Sequence, residues 1–163
     1  MIYFDLDNTI RDLNIFNIKG GPNSWHNSMP NGQTIKDYIN DNLDILVTSY
    51  PTEYYSVIKR YIKCPVIITH QLVHWLPYTI YWLDRHFKHY ELINVPEIPA
   101  KEQYLNTDDY LVDDYPHFSS KITNNLLLIS MNYNQDSPCK ARITKPEELI
   151  PYLKEYYVPQ RLF

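Results

Sequence analysis

The chain has 163 residues, 44% of them hydrophobic and 21% charged, a length and balance that suit one compact domain with a single core. A net charge of −4 gives no electrostatic footprint for tight nonspecific nucleic-acid binding. Two cysteines, Cys64 and Cys139, exclude a disulfide framework or a cysteine zinc site.

No apolar stretch approaches a membrane span, and the first apolar run begins at Ile2, so the expectation is a soluble cytoplasmic protein with no membrane partner. Sixteen Tyr and only three Gly read as compositional bias rather than a binding surface. The clusters Lys59-Arg60 with Lys63, and Arg85-His86 with Lys88-His89, read as solvated helix faces.

The chain opens with the run Ile2 to Phe4, a strand that ends in Asp5 and Asp7, followed by Thr9. In an open α/β sheet, ligands bind where such strands pass into loops at their carboxyl ends. Two carboxylates there repel each other unless a cation or a shared proton intervenes. Magnesium suits that task, because it takes one or two carboxylates and bridges to phosphate oxygens.

Residues Leu13 to Met29 carry Gly20-Gly21-Pro22 without clear periodicity and read as a long functional loop, a short cap after the Asp pair. Trp25 and His26 within it read as local anchors. A helix is expected from Gln33 to Asn42 after the turn Pro30-Asn31-Gly32. Ile45-Leu46-Val47 then reads as a strand delivering Thr48 and Ser49. Thr52 to Ile62 reads as a helix with Tyr55, Ile58 and Ile62 near one face.

Val66-Ile67-Ile68 reads as a small edge strand or a substrate loop, which makes residues 50–75 a possible insertion at the site entrance. His70 and His74 have the spacing of helical metal ligands, yet no Glu follows His70, and zinc is disfavoured. Leu76 to Phe87 is an aromatic helix, and Lys101 lies in a loop after Pro96 and Pro99. Tyr110-Leu111-Val112 leads into Asp113-Asp114, and Leu126 to Ile129 leads into Ser130. Thr144-Lys145-Pro146-Glu147 has capping-box spacing and opens a helix to about Tyr156.

Continuous apolar strands alternating with helices argue an α/β fold with a doubly wound, mostly parallel sheet. Its loops would bring together carboxylates for a metal, hydroxyls for phosphate oxygens and one fixed cation, which is what phosphoryl transfer requires.

Asp5-Leu6-Asp7-Asn8-Thr9-Ile10 resembles the first motif of the haloacid dehalogenase-like (HAD) phosphohydrolases. Val47-Thr48-Ser49 resembles their second motif, Lys101 their third and Leu111-Val112-Asp113-Asp114 their fourth, in the family's order. The resemblance implies a magnesium-dependent phosphatase with a Rossmann-like core and a minimal cap. It makes Asp5 the nucleophile and Asp7 the general acid and base. Magnesium would be held by Asp5, the Asp7 backbone carbonyl and the Asp113-Asp114 pair, with Asp114 preferred. Thr48 would bind a phosphate oxygen and Lys101 would neutralise the phosphate, with Lys121 as a competing lysine.

Asn8 stands where the family often has Gly, and Asn tolerates the left-handed backbone that the turn needs. Thr48-Ser49-Tyr50-Pro51 and Asp113-Asp114-Tyr115-Pro116 are most similar to the 5'(3')-deoxyribonucleotidase branch. That likeness implies a nucleoside monophosphate substrate, with Thr9, Ser49, Tyr50 and Tyr115 as candidate contacts. The 3'-phosphatase domain of phage polynucleotide kinases has the same motif order, so a nucleic-acid end is the alternative substrate. A dead phosphatase fold is the non-enzymatic rival, although every catalytic position of the motifs is filled. A receiver domain has the opposite motif order, and a P-loop kinase lacks its glycine motif here.

Overall fold

The computed structural model describes residues 1–13, 28, 29 and 31–156. Most of the expected cap loop, including Gly20-Gly21-Pro22, Trp25 and His26, lies outside the described residues, as does Pro30.

Six parallel strands form one sheet: β1 (Ile2–Phe4), β2 (Val66–Thr69), β3 (Glu91–Asn94), β4 (Tyr110–Asp113), β5 (Leu126–Ile129) and β6 (Ala141–Ile143). Their order is β3-β2-β1-β4-β5-β6, a Rossmann-like arrangement. The order reverses between β1 and β4, so the loops after those two strands open a crevice at the carboxyl edge.

The central strands alternate their side chains between two apolar clusters, as the strand period requires. Ile2, Phe4, Ile67, Val112, Leu127 and Ile129 face one side. There they meet Tyr54 and Ile58 of α3 (Tyr54–Tyr61), Trp82 and Leu83 of α4 (Leu76–His86), and Leu153 of α5 (Ile150–Glu155). Tyr3, Val66, Ile68, Leu111, Leu126 and Leu128 face the other side, covered by Ala100 and Ile122 from two short 3-10 turns. Burial on both faces explains why these strands read as continuous apolar runs. The edge strands β3 and β6 are partly exposed and carry no such run, so they escape a sequence reading.

A third cluster sits over the carboxyl edge. Ile35 and Ile39 of α1 (Ile35–Asp41) pack there with Leu13, Trp75 and Leu46 of α2 (Ile45–Thr48). Thr34 caps α1 by accepting the Asp37 N–H at 3.1 Å.

The strand expected at Ile45 to Val47 is instead the single helical turn α2. Thr48 N–H bonds Asp44 O, and the Thr48 and Ser49 hydroxyls bond back to the Asp44 and Ile45 carbonyls. Leu46 is fully buried in the third cluster, and tertiary packing overrides the strand propensity of the run. The strand is Val66–Thr69, in the sheet interior between β1 and β3 rather than at an edge. Residues 50–75 are therefore a crossover helix, a central strand and a connecting turn. The terminal helix is also shifted by one residue. Glu148, not Glu147, reaches back to the Thr144 N–H at 2.6 Å.

Candidate metal centre

Asp5 directly follows β1, Asp113 is the last residue of β4, and Asp114 follows it. These neighbouring parallel strands bring the three carboxylates together although the chain separates them widely. One oxygen from each lies within 4.8 Å of the others, and all three residues are buried. Among the described residues this is the group that could hold a metal ion.

Lys101 supplies the fixed cation. It lies in the turn Ile98–Tyr104, is 2% exposed, and donates to Asp5 Oδ1 at 2.6 Å and Asp113 Oδ2 at 2.7 Å. Burial works against its charge, but the Asp113 and Asp5 carboxylates outweigh that and raise its pKa. Lys121 is exposed and lines a separate surface hollow with Gln103 and Asn124.

One ammonium faces three carboxylates, so the cluster is short of positive charge. Burial, and then Asp113 and Asp114, push the Asp5 carboxyl well above its usual range against the pull of Lys101. Burial and the Asp113 charge push Asp114 up to about 7. An oxygen-only donor set with a charge deficit suits a hard divalent cation. Asp113 already commits both oxygens, one to Lys101 and one to the Tyr115 N–H at 2.9 Å. Asp5 gives one oxygen to Lys101 and Asp114 gives one to the Tyr133 hydroxyl, so these two are the better placed ligands.

Asp7 and Asn8 line the same cavity. The turn there requires a left-handed residue, and Asn8 takes φ 63° with its N–H on Arg11 O at 2.7 Å. The Asp7 carboxylate pairs with Arg11 and accepts from Gln71 Nε2 at 2.6 Å. Thr9 is fully buried behind the loop, and its carbonyl accepts the Thr52 hydroxyl at 2.6 Å.

Thr48, Ser49 and Tyr50 do not line the cavity. Thr48 is exposed on α2, and the Tyr50 side chain is 82% exposed. Their segment instead braces the Asp loop from behind: Asp12 N–H donates to Tyr50 O, and Thr52 N–H to Ile10 O, both at 2.8 Å. The hydroxyl at the neighbouring strand end is that of Thr69, which lines the cavity at the end of β2. Tyr115 lines the cavity as well.

No family model matches this chain, and no curated protein matches it.

Arg11, Gln71 and Tyr133 escape a sequence reading, and His70 enters it only as a disfavoured zinc ligand. His70 lines the cavity, and its Nδ1 lies 2.9 Å from Val95 O. His74 instead meets Asn40 at 2.8 Å, so the two histidines do not act as a pair. Tyr133 reaches Asp114 from the loop after β5, which Asn134 pins by donating to Asp114 O and Ile129 O at 2.8 Å each. Burial and the Asp114 charge raise the Tyr133 pKa, so the phenol remains a donor. Of Arg11, Gln71 and Tyr133, Arg11 alone carries a sequence signal: a charge four residues after Asp7, beside apolar Ile10.

The cavity has two characters. Its floor carries Asp5, Asp7, Thr69, Lys101, Asp113 and Asp114, whereas Leu13, Ile35, Ile39, Ile98 and Pro116 form an apolar wall. Among the described residues, no helix is long and apolar enough to cross a membrane.

Proposed function

We propose that this protein is a magnesium-dependent phosphomonoester hydrolase of the HAD type, acting through a phospho-aspartate at Asp5. The observation that carries the reading is Lys101 bridging Asp5 and Asp113 within a three-carboxylate group, with Asp7 two residues beyond Asp5. The strand order and the Asp-x-Asp-x-Thr loop after β1 support it.

In this reading an Asp5 oxygen attacks phosphorus while the bond to the leaving oxygen breaks and Asp7 gives that oxygen a proton. Asp7 then takes a proton from a water attacking the phospho-aspartate, whose bond to Asp5 breaks to release phosphate. Lys101 holds the other Asp5 oxygen and lowers the negative charge where the phosphate arrives. Thr69, rather than Thr48, offers the hydroxyl for a phosphate oxygen. Magnesium bound by Asp5, the Asp7 backbone carbonyl and Asp114 would supply further neutralisation of the phosphate.

The substrate is a nucleoside monophosphate, with a deoxyribonucleotide preferred. The apolar wall of Leu13, Ile35, Ile39, Ile98 and Pro116 supports it, because such a surface suits a flat base better than a sugar's hydroxyls.

The test is a side-by-side panel of nucleotides, sugar phosphates and 3'-phosphorylated oligonucleotides, with magnesium or a chelator. Nucleotides should be hydrolysed best, magnesium should be required, and Asp5→Asn should abolish turnover. Preference for the oligonucleotides transfers the assignment to nucleic-acid ends. Full activity of Asp5→Asn, or indifference to the chelator, ends the phosphatase reading. A protein that binds these phosphates without turning them over is a binding fold.

A further inference from the structure

The ionic network behind Asp7 is more elaborate than a structural salt bridge requires. Arg11 has no exposed surface, and each of its nitrogens finds a partner. Nε donates to Asp7 Oδ1 at 2.7 Å, and Nη2 lies 2.7 Å from the same oxygen. Nη1 donates to Leu46 O at 2.9 Å and Thr79 Oγ1 at 3.2 Å, while Nη2 meets Gln71 Oε1 at 3.5 Å. The guanidinium lies 5.8 Å from the centre of the Trp82 ring. A buried cation is tolerated when it is paired and hydrogen-bonded, and Arg11 meets that condition through Asp7.

Gln71 holds the other Asp7 oxygen. Its Nε2 donates to Asp7 Oδ2 at 2.6 Å, and its Oε1 accepts the Thr79 hydroxyl at 3.2 Å. The Gln71 backbone is clamped at the end of β3. Its N–H donates to Asn94 Oδ1 at 2.8 Å, and Asn94 Nδ2 donates back to Gln71 O at 3.1 Å. Gln71 is 3% exposed, so water does not compete for these bonds. The Asp7 carboxylate is thus gripped on both oxygens by groups from its own loop and from the segment after β2, with Thr79 of α4 behind them.

We infer that Gln71 is a positioning residue that aims the Asp7 carboxylate for proton transfer, with Arg11 as its fixed counter-charge. The inference rests on the phosphatase reading above. Charge pairing alone needs only Arg11. The carboxamide adds direction, because it fixes the oxygen that Arg11 leaves free. Displacing a proton-transfer group by about 1 Å costs on the order of 10²-fold in rate.

The test uses the full chain with magnesium and two aryl phosphates, phenyl phosphate and 2,4-dinitrophenyl phosphate. Their kcat/KM values report steps up to formation of the phospho-aspartate, and only the phenolate leaving group needs a proton. Gln71→Met keeps length and volume while removing the amide. It should lower kcat/KM for phenyl phosphate on the order of 10²-fold, and for the dinitrophenyl ester by less than about threefold. Asp7→Asn should show the same asymmetry more strongly. Thr79→Val leaves both direct contacts to the Asp7 carboxylate in place while removing the hydroxyl that supports Gln71 and Arg11, and should show the asymmetry more weakly, so a poorly folding Gln71→Met leaves the inference testable. Equal losses on the two esters, or no loss in either variant, overturn the inference while the phosphatase reading stands. A wild-type protein inert toward both esters overturns the two together.

Discussion

Lys101 places its ammonium 2.6 Å from Asp5 Oδ1, across ninety-six residues of sequence, and reaches Asp113 with the same atom. A buried charge shared between two strand ends makes the site and the sheet interdependent. Removing one partner of a buried ion pair strands the others in a medium that solvates them poorly.

Lys101→Met should therefore destabilise the metal-free protein by about 3–5 kcal/mol, lowering Tm by roughly 10 °C or more. The loss should be greater at pH 8 than at pH 5, because acid lets the abandoned carboxylates take protons. Lys121→Met, on an exposed side chain, should change stability by less than about 0.5 kcal/mol. Equal thermal shifts in the two variants would contradict the bridging role of Lys101.

The carboxylate cluster predicts an unusual pH dependence. Burial and then Asp113 push Asp114 up to about 7, and Asp5 is raised as well. A carboxyl whose pKa rises on folding contributes its full stability below its unfolded value and loses it as pH climbs through the folded value. For Asp114 that window runs from about 4 to about 7. The metal-free protein should lose this contribution as pH rises from about 4 to about 7, and Asp114→Asn should flatten the decline. Magnesium should raise Tm more at pH 8 than at pH 5, because protons no longer compete for the oxygens. Melting curves in chelator and in excess magnesium measure both; a pH slope unchanged by Asp114→Asn would refute the assignment.

Tyr133→Phe deletes one hydroxyl and its bond to Asp114. Groups that orient a metal ligand typically contribute 10–100-fold in affinity or activity, and a loss of about that size in magnesium affinity is expected. Calorimetric titration reads it directly, and an unchanged Kd would show that Asp114 needs no such support.

Thr69 and Thr48 make a paired comparison. Thr69 lines the cavity, whereas the Thr48 hydroxyl is occupied by Asp44 O at 2.9 Å. Under the phosphatase reading, Thr69→Val should lower kcat/KM on the order of 10²-fold. Thr48→Ala should leave it within about threefold. The reverse pattern would restore the motif assignment suggested by local sequence.

The sequence by itself determined the features that local patterning can carry. Ile2 to Phe4 and Tyr110 to Val112 are continuous apolar runs that end in carboxylates, and burial on both sheet faces requires such runs. Lys101 is preferred over Lys121 only through the resemblance to the phosphohydrolase motifs, and it is Lys101 that pairs with Asp5 and Asp113. Tertiary structure alone decided between Ile45–Thr48 and Val66–Thr69, two apolar tetrapeptides that each end in threonine. Periodicity cannot distinguish a buried helical turn from a buried strand at that length. The first became helical because Leu46 fills a cluster with Trp75 while its carbonyl accepts Arg11. The second became a strand because β1 and β3 both offer it a hydrogen-bonded partner. The Arg11–Asp7–Gln71 network belongs to the same category. Asp7 and Arg11 share one loop, but Gln71 lies 64 residues further on, and only the closure of β2 beside β1 brings its carboxamide to the Asp7 carboxylate.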